Sequence, residues 1–360
     1  MSKKRAFDKW LFTTVLLLLG WGLVMVYSAS EINVEEPGSS WHPFAKQALA
    51  AVVGLIAMAI AMSIDYTRLS KPQAAYGGVV VTIVLLLWAL LSPPLNNASR
   101  WIFIGPLSVQ PGEIAKLAAV VFLAYQIDRK WTRVNGASLL IPCIVVTALM
   151  VVLILAQPDF GMAGLLVVTV GLMLFLAGLA WQYILIGALM ALPTLYILVV
   201  RVPYRLERVL TFLSPEEDPL GSGFQVLQSL IAVGSGGVLG LGLGKSVQKL
   251  NFLPYAESDF IYSILSEELG LIGSVALLIL FSILLWRGIR AGLRAPDTFG
   301  RFLAWGLSCM IVVQALINVC VALALLPATG APLPLISYGG TSLVATLAAS
   351  GLVLNVSQHG

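Results

Sequence analysis

Apolar runs close to the length of a membrane span follow one another along almost the whole chain, at about 10–28, 46–64, 72–92, 113–127, 138–156, 162–180, 182–200, 261–286, 302–325 and 341–356. Roughly 20 apolar residues in a helix cross the ~30 Å hydrocarbon layer of a bilayer. Lipid offers no partner to backbone N–H and C=O groups, so each run must satisfy them internally as a helix. Charged residues make up 11% of the 360 residues, against roughly 25% in soluble domains. A water-soluble fold is excluded. The pattern predicts an all-α polytopic membrane protein: one integral membrane domain over 1–360, with ten transmembrane helices, an N-terminal tail over 1–9 and a long loop over 201–260 between the seventh and eighth helices.

Orientation follows from the loop charges, because Lys and Arg collect on the cytoplasmic side. With the N-terminus inside, one face holds thirteen basic and four acidic residues, and the other eight basic and thirteen acidic. Both termini are then expected in the cytoplasm, and the long loop outside. The excess of positive charge is a topology signal and implies no nucleic-acid partner. Lys3, Lys4 and Arg5 followed by an apolar stretch also suit a signal peptide, but the run from Trp10 to Tyr27 exceeds the usual ~7–15-residue signal core, which favours an uncleaved helix. The three cysteines, Cys143, Cys309 and Cys320, lie inside apolar runs without metal-ligand spacing and read as packing residues.

The cytoplasmic loops run at most about fifteen residues, too short for a nucleotide-binding domain. The stretch from Gly234 to Lys245-Ser246 resembles a phosphate-binding loop superficially, but Leu239 stands where that loop needs glycine. Any substrate is therefore expected to be lipid-linked, extracytoplasmic or transported.

The sequences that could carry chemistry gather on the outer face. Arg100-Trp101-Ile102 leads into Gln110-Pro111-Gly112-Glu113 and Lys116. Glu113 and Lys116 are three apart, so a helix places them on one face as an ion pair. That pair either pins the helix end or lets Lys116 present a cation to a phosphate, with Trp101 as a flat apolar wall. Asp159, in Gln157-Pro158-Asp159-Phe160-Gly161, reads best as the cap of the next helix. The Gly-rich piece from Ile231 to Gly244 suits either a re-entrant segment with phosphate-facing amides or a loosely packed hairpin. Asp259 stands at the mouth of the eighth helix, where it either caps that helix or accepts a proton from an attacking hydroxyl. Further in, Glu267 and Glu268 require a polar interior or an opposite charge. Between Pro327 and Ser342, three prolines and the pair Gly339-Gly340 break any regular helix and offer amides and hydroxyls, Ser337 among them, to a ligand or a lid.

Together these segments resemble the SEDS family of cell-wall polymerases, the FtsW- and RodA-like proteins of shape, elongation, division and sporulation. The resemblance rests on Arg100-Trp101-Ile102 through Gln110-Pro111, Glu113 and Lys116; Pro158-Asp159-Phe160-Gly161; Pro203-Tyr204-Arg205; Gln228-Ser229 through Gly237; Leu253-Pro254 with Asp259-Phe260-Ile261, Glu267-Glu268 and Gly270; and Ile336-Ser337-Tyr338-Gly339-Gly340. Each is weak alone; all in order and on one face are specific. The wording around Lys245 and Glu267 is more FtsW-like than RodA-like.

The resemblance implies a peptidoglycan glycosyltransferase in the bacterial cytoplasmic membrane that polymerises lipid II at the outer face. It implies Asp259 as the catalytic base, and a class B penicillin-binding protein as partner beside the membrane lipids. Lys116, Arg205 and Lys249 are then candidates to balance the pyrophosphate charge, with Glu113 orienting Lys116. No cofactor is required, although a divalent cation could share that task. Two departures stand out: Gly112 where Ser is usual, and Tyr255-Ala256-Glu257-Ser258 for the commoner Glu-Ala-His-Thr, which makes Glu257 the candidate to compensate. Two rival readings are a flippase or ion-coupled transporter for a lipid-linked precursor and a scaffold that activates a transpeptidase. The one-sided placement of the motifs speaks against transport, which usually needs a midplane site.

Overall fold

A computed structural model describes residues 6–30, 41–93, 99–104, 107–201, 203–218, 221, 223–249, 253 and 256–360, apart from the side chains of residues 41–42, 104, 107, 194–195, 197–199, 203–205 and 207–208. The helices are α1 (Lys9–Ser30), α2 (Trp41–Ser63), α3 (Pro72–Leu91), α4 (Pro111–Lys130), α5 (Ala137–Ala156), α6 (Phe160–Leu176), α7 (Trp181–Val200), α8 (Pro203–Leu213), α9 (Phe224–Ser235), α10 (Ile261–Arg294), α11 (Thr298–Ala322) and α12 (Gly340–Ser357). Among the described residues seven are long and apolar enough to cross a bilayer: α1, α2, α3, α5, α10, α11 and α12. Each of the ten expected spans falls on a helix, and the loop after α7 holds two shorter helices, α8 and α9, that the sequence reading did not resolve.

The helix starts follow local chemistry. Proline occupies the first turn of α3 and α4, where its missing N–H costs nothing. Asp159 caps α6 by accepting from the Met162 amide at 3.0 Å, and Asp297 caps α11 through the Gly300 amide at 2.6 Å. α1 packs against α10, α2 and α12, with Val15, Leu18, Met25 and Val26 fully buried. Cys143 and Cys309 are buried free thiols and Cys320 is half-buried, in keeping with packing roles.

The polar helix α4 packs against α3, α5, α6, α11 and α12, so protein rather than lipid surrounds it. One departure from an all-helical reading precedes it: β1 (Ile102–Ile104) pairs antiparallel with β2 (Leu107–Val109), Ile102 opposite Val109. The Thr341 hydroxyl ties this hairpin to the start of α12 by donating to the Ser108 carbonyl at 2.9 Å.

α10 is broken. Gly270 has φ 64° and ψ −163°, a conformation that glycine alone adopts readily and that interrupts the helical hydrogen bonds. The segment after α9 fills the gap. Amides of Leu241 and Gly242 donate to the carbonyls of Glu267 and Glu268 at 3.0 and 2.9 Å, while amides of Leu271 and Ile272 donate to the carbonyls of Gly237 and Val238 at 2.9 and 3.2 Å. The Gly-rich piece is thus no loose hairpin: its amides at 241 and 242 and its carbonyls at 237 and 238 satisfy a broken helix. Close approach demands glycine on both sides, since a Cβ on Gly240 would lie 2.2 Å from the Glu268 carbonyl oxygen and one on Gly270 would lie 2.4 Å from the Gly240 nitrogen.

Candidate active site

Three loops converge beyond the start of α10: the turn before α6, the segment 256–260, and the Pro- and Gly-rich stretch between α11 and α12. Gly161 allows the first contact, because the Thr329 carbonyl oxygen sits 2.4 Å from where its Cβ would be. Asn318 on α11 ties the other two loops together by donating to the carbonyls of Asp259 and Ala331, both at 2.9 Å. Ser337 accepts from the Leu333 amide at 2.8 Å and donates to the Ser258 carbonyl at 2.5 Å. The Tyr338 amide donates to the Glu257 carbonyl at 2.8 Å. Burial, and then the nearby Glu257 carboxylate, push the Tyr338 phenol above its ordinary pKa. Ser337 therefore acts on the backbone beside Asp259, and Glu257 faces Tyr338.

Asp259 is half-buried at the mouth of α10. Its Oδ2 lies 3.7 Å, and Arg100 Nη1 3.8 Å, from the point a Cβ on Gly330 would occupy, so carboxylate and guanidinium flank the same small space. Arg100 also lies near Asp159, which is buried 4.0 Å from Nη1 and whose Oδ2 accepts from Gln110 Nε2 at 3.0 Å. Arg100 Nε, Thr329 Oγ1 and Asn318 Oδ1 are buried without a hydrogen-bond partner among the described residues, an unusual concentration of unmet polar atoms. A polar ligand in this space would meet a carboxylate on one side and a cation on the other.

Glu113 and Lys116 form the expected ion pair at 2.8 Å, wholly buried. Lys116 Nζ also donates to Gln314 Oε1, and Gln314 Nε2 donates to the Pro332 carbonyl at 2.8 Å. The pair thereby props the stretch that carries Gly330. Trp101 is half-buried just before β1. The side chain of Arg205 lies outside the described residues.

Lys249 is buried elsewhere. Its Nζ pairs with Glu268 Oε1 at 3.5 Å and donates to the Ser28 carbonyl at 3.1 Å. Ser28 Oγ donates to both oxygens of Glu268, at 2.7 and 2.8 Å. Beside it, Glu267 accepts from the Val247 amide at 3.0 Å and the Gln248 amide at 3.4 Å, and from the Ser246 hydroxyl. Both carboxylates thus find the polar partners their position demanded, and Lys249 joins α1 to α10 two turns from Asp259 rather than standing beside it. Removing one partner leaves an uncompensated buried charge. Lys249→Met is expected to destabilise the protein by about 3–5 kcal/mol, and adding Glu268→Gln to restore much of it; thermal unfolding of the two variants in detergent measures this.

Among the described residues no three His, Cys, Asp or Glu side chains gather as a metal-ligand group. Arg100, Gln110, Asn318 and Thr329 were not singled out as site residues from sequence. The motif containing Arg100 was the available signal, but the residues that meet it are 59 to 230 positions away.

Residues 9–360 match the cell cycle protein family of FtsW, RodA and SpoVE. The chain belongs to this family. It is 42% identical to stage V sporulation protein E of Bacillus subtilis, over 99% of each chain. It is 41% identical to the protein named probable peptidoglycan glycosyltransferase FtsW of Geobacter metallireducens, over 98% of this chain and 95% of that one. Among solved structures, a chain from a peptidoglycan synthase complex that coordinates polymerization and crosslinking superposes with TM-score 0.80 at 35% identity, over 98% of both chains. The rod shape determining protein RodA of Thermus thermophilus superposes with TM-score 0.70 at 30% identity, over 98% of this chain and 97% of that one. The FtsW-like resemblance read from the motifs accords with these names.

Proposed function

We propose that this family member is a peptidoglycan glycosyltransferase that polymerises lipid II, with Asp259 as general base. The observation that carries the reading is the half-buried Asp259 carboxylate facing Arg100 across the small space at Gly330. Asp259 takes the proton of the GlcNAc 4-hydroxyl of one lipid-linked sugar as that oxygen bonds to the anomeric carbon of another. The bond from that carbon to the pyrophosphate oxygen breaks, undecaprenyl pyrophosphate leaves with the electron pair, and the proton passes from Asp259 to water. One base and one attacking hydroxyl give inversion at the anomeric centre.

Arg100 is the site's available counter-charge for the leaving pyrophosphate. Lys116 and Glu113 support the stretch 327–334, and Lys249 supports α10 from behind. Trp101, Arg205, Glu257 and Ser337 complete the proposed surroundings of the substrate, and a divalent cation could add to the positive charge. Ten helices cross the membrane in this reading, with α4, α6 and α7 joining the seven apolar ones. The termini lie in the cytoplasm, and the hairpin, α8, α9 and Asp259 outside. A class B penicillin-binding protein is the proposed partner, supported by the likeness to a chain that works with crosslinking in a synthase complex. The test incubates the purified chain, with and without its transpeptidase, with fluorescent lipid II and resolves products on a gel. Glycan ladders are expected; no ladder alongside transbilayer movement of lipid II in vesicles would favour a flippase instead.

A further inference from the structure

At the end of the bundle away from Asp259, the start of α1 meets the ends of α10 and α12 around an open cleft of about 390 Å³. Asp259 lies just before the first residue of α10 and Arg294 is its last, so the length of that helix separates the two places. Four basic side chains line the cleft, Lys9, Arg287, Arg290 and Arg294, against one acidic side chain, Asp8, and the carboxyl end at Gly360, which is itself engaged. Asp8 is already engaged. It caps α1 by accepting from the Leu11 amide at 3.0 Å and holds Arg287 in a two-pronged pair, with Nε 2.8 Å from Oδ2 and Nη2 on the same oxygen. Among the described residues no carboxylate side chain pairs with Lys9, Arg290 or Arg294. Arg290 rests over the Trp286 ring at 6.0 Å. Three cations gathered in one cleft repel one another, and an anion placed among them relieves that repulsion.

Phe7 forms part of this wall and also part of the wall of a second cavity, of about 630 Å³. That cavity is mostly apolar, lined by Phe12, Leu55, Met58, Ala59 and Met62, with Ser63 and Gln358 as its polar members. Cations therefore lie on one side of Phe7 and hydrocarbon on the other. Trp10, in the first turn of α1, is 69% exposed, and tryptophan is enriched at membrane–water interfaces. A free phosphate would use the cationic half alone; the adjoining groove fits a ligand with a chain. We propose that the paired cavities bind an anionic phospholipid, its phosphodiester among Lys9, Arg290 and Arg294 and an acyl chain in the groove beside Phe12 and Met58.

The test titrates the full chain in detergent with phosphatidylglycerol or phosphatidylcholine and counts bound lipids by native mass spectrometry. Wild type is expected to favour phosphatidylglycerol by about tenfold, and Arg290→Gln with Arg294→Gln to erase that preference. Ala59→Trp, which fills the groove, should weaken retention of phosphatidylglycerol while its advantage over phosphatidylcholine stays. An equimolar sn-glycerol 3-phosphate competitor should leave the lipid in place. Equal binding of both lipids by wild type, a preference that survives loss of both arginines, an unaffected Ala59→Trp variant, or displacement by the soluble competitor would each overturn the proposal. None of these side chains touches the polymerase site, so glycan ladders and melting temperature serve as controls for folding.

Discussion

Replacing Asp259 by alanine is expected to lower glycan-ladder formation by about 10²–10⁴-fold, the usual worth of a positioned general base. Folding should survive, because the hydrogen bond from Asn318 to the Asp259 backbone carbonyl helps hold this segment in the bundle and is kept by alanine. Two further variants sharpen the result. Asp259→Asn retains shape and removes basicity, so it should be as inactive as alanine; Asp259→Glu keeps a carboxylate but moves it by about one bond length, and should retain part of the rate. Lipid II binding, followed separately by retention on the protein, should change little in the asparagine variant. Ladders from Asp259→Asn at the wild-type rate would remove the general base from this position and return the site to the scaffold reading.

The largest expected loss of stability comes from Gly270→Ala. The new side chain meets two obstacles at once: a φ of 64° with ψ −163°, and a Cβ position 2.4 Å from the Gly240 nitrogen. Backbone strain of this kind costs on the order of 1–3 kcal/mol by itself. Displacing the partner strand of backbone also leaves the carbonyls of Glu267 and Glu268 unmet at membrane depth, each costing several kcal/mol more. The variant should fail to accumulate as a folded, detergent-stable protein. Gly171→Ala in α6, where a Cβ meets nothing within 4 Å, is the matched control and should be neutral or stabilising by up to about 1 kcal/mol. A melting temperature for Gly270→Ala equal to wild type would mean that α10 tolerates a continuous path through this point.

What the sequence disclosed, and what it withheld, divides along the range of the interactions involved. Apolar runs are set by the solvent each residue meets, so helix positions were legible. The spacing of Glu113 and Lys116 and the cap at Asp159 were legible too, because each depends on residues within three positions. The break at Gly270 was not. It sits within a helix that continues on both sides, and its cause is a set of hydrogen bonds to residues some thirty positions earlier. In hindsight the signal was joint: an interior glycine, two adjacent carboxylates, and an unusually dense glycine run upstream. Lys249 misled for the same reason. Its charge suggested a phosphate, whereas Ser28 and Glu268, distant in sequence, absorb it. Arg100 gained its meaning from Asp159, Gly330 and Asp259, which the fold alone brings together.

The filled break in α10 also bears on the order in which the protein can be made. Four backbone groups beside the Gly270 break, the carbonyls of Glu267 and Glu268 and the amides of Leu271 and Ile272, are met by residues 237–242, and these emerge from the ribosome before α10 does. When α10 enters the bilayer its partner already exists, and the interrupted helix need not wait exposed to lipid for a later segment.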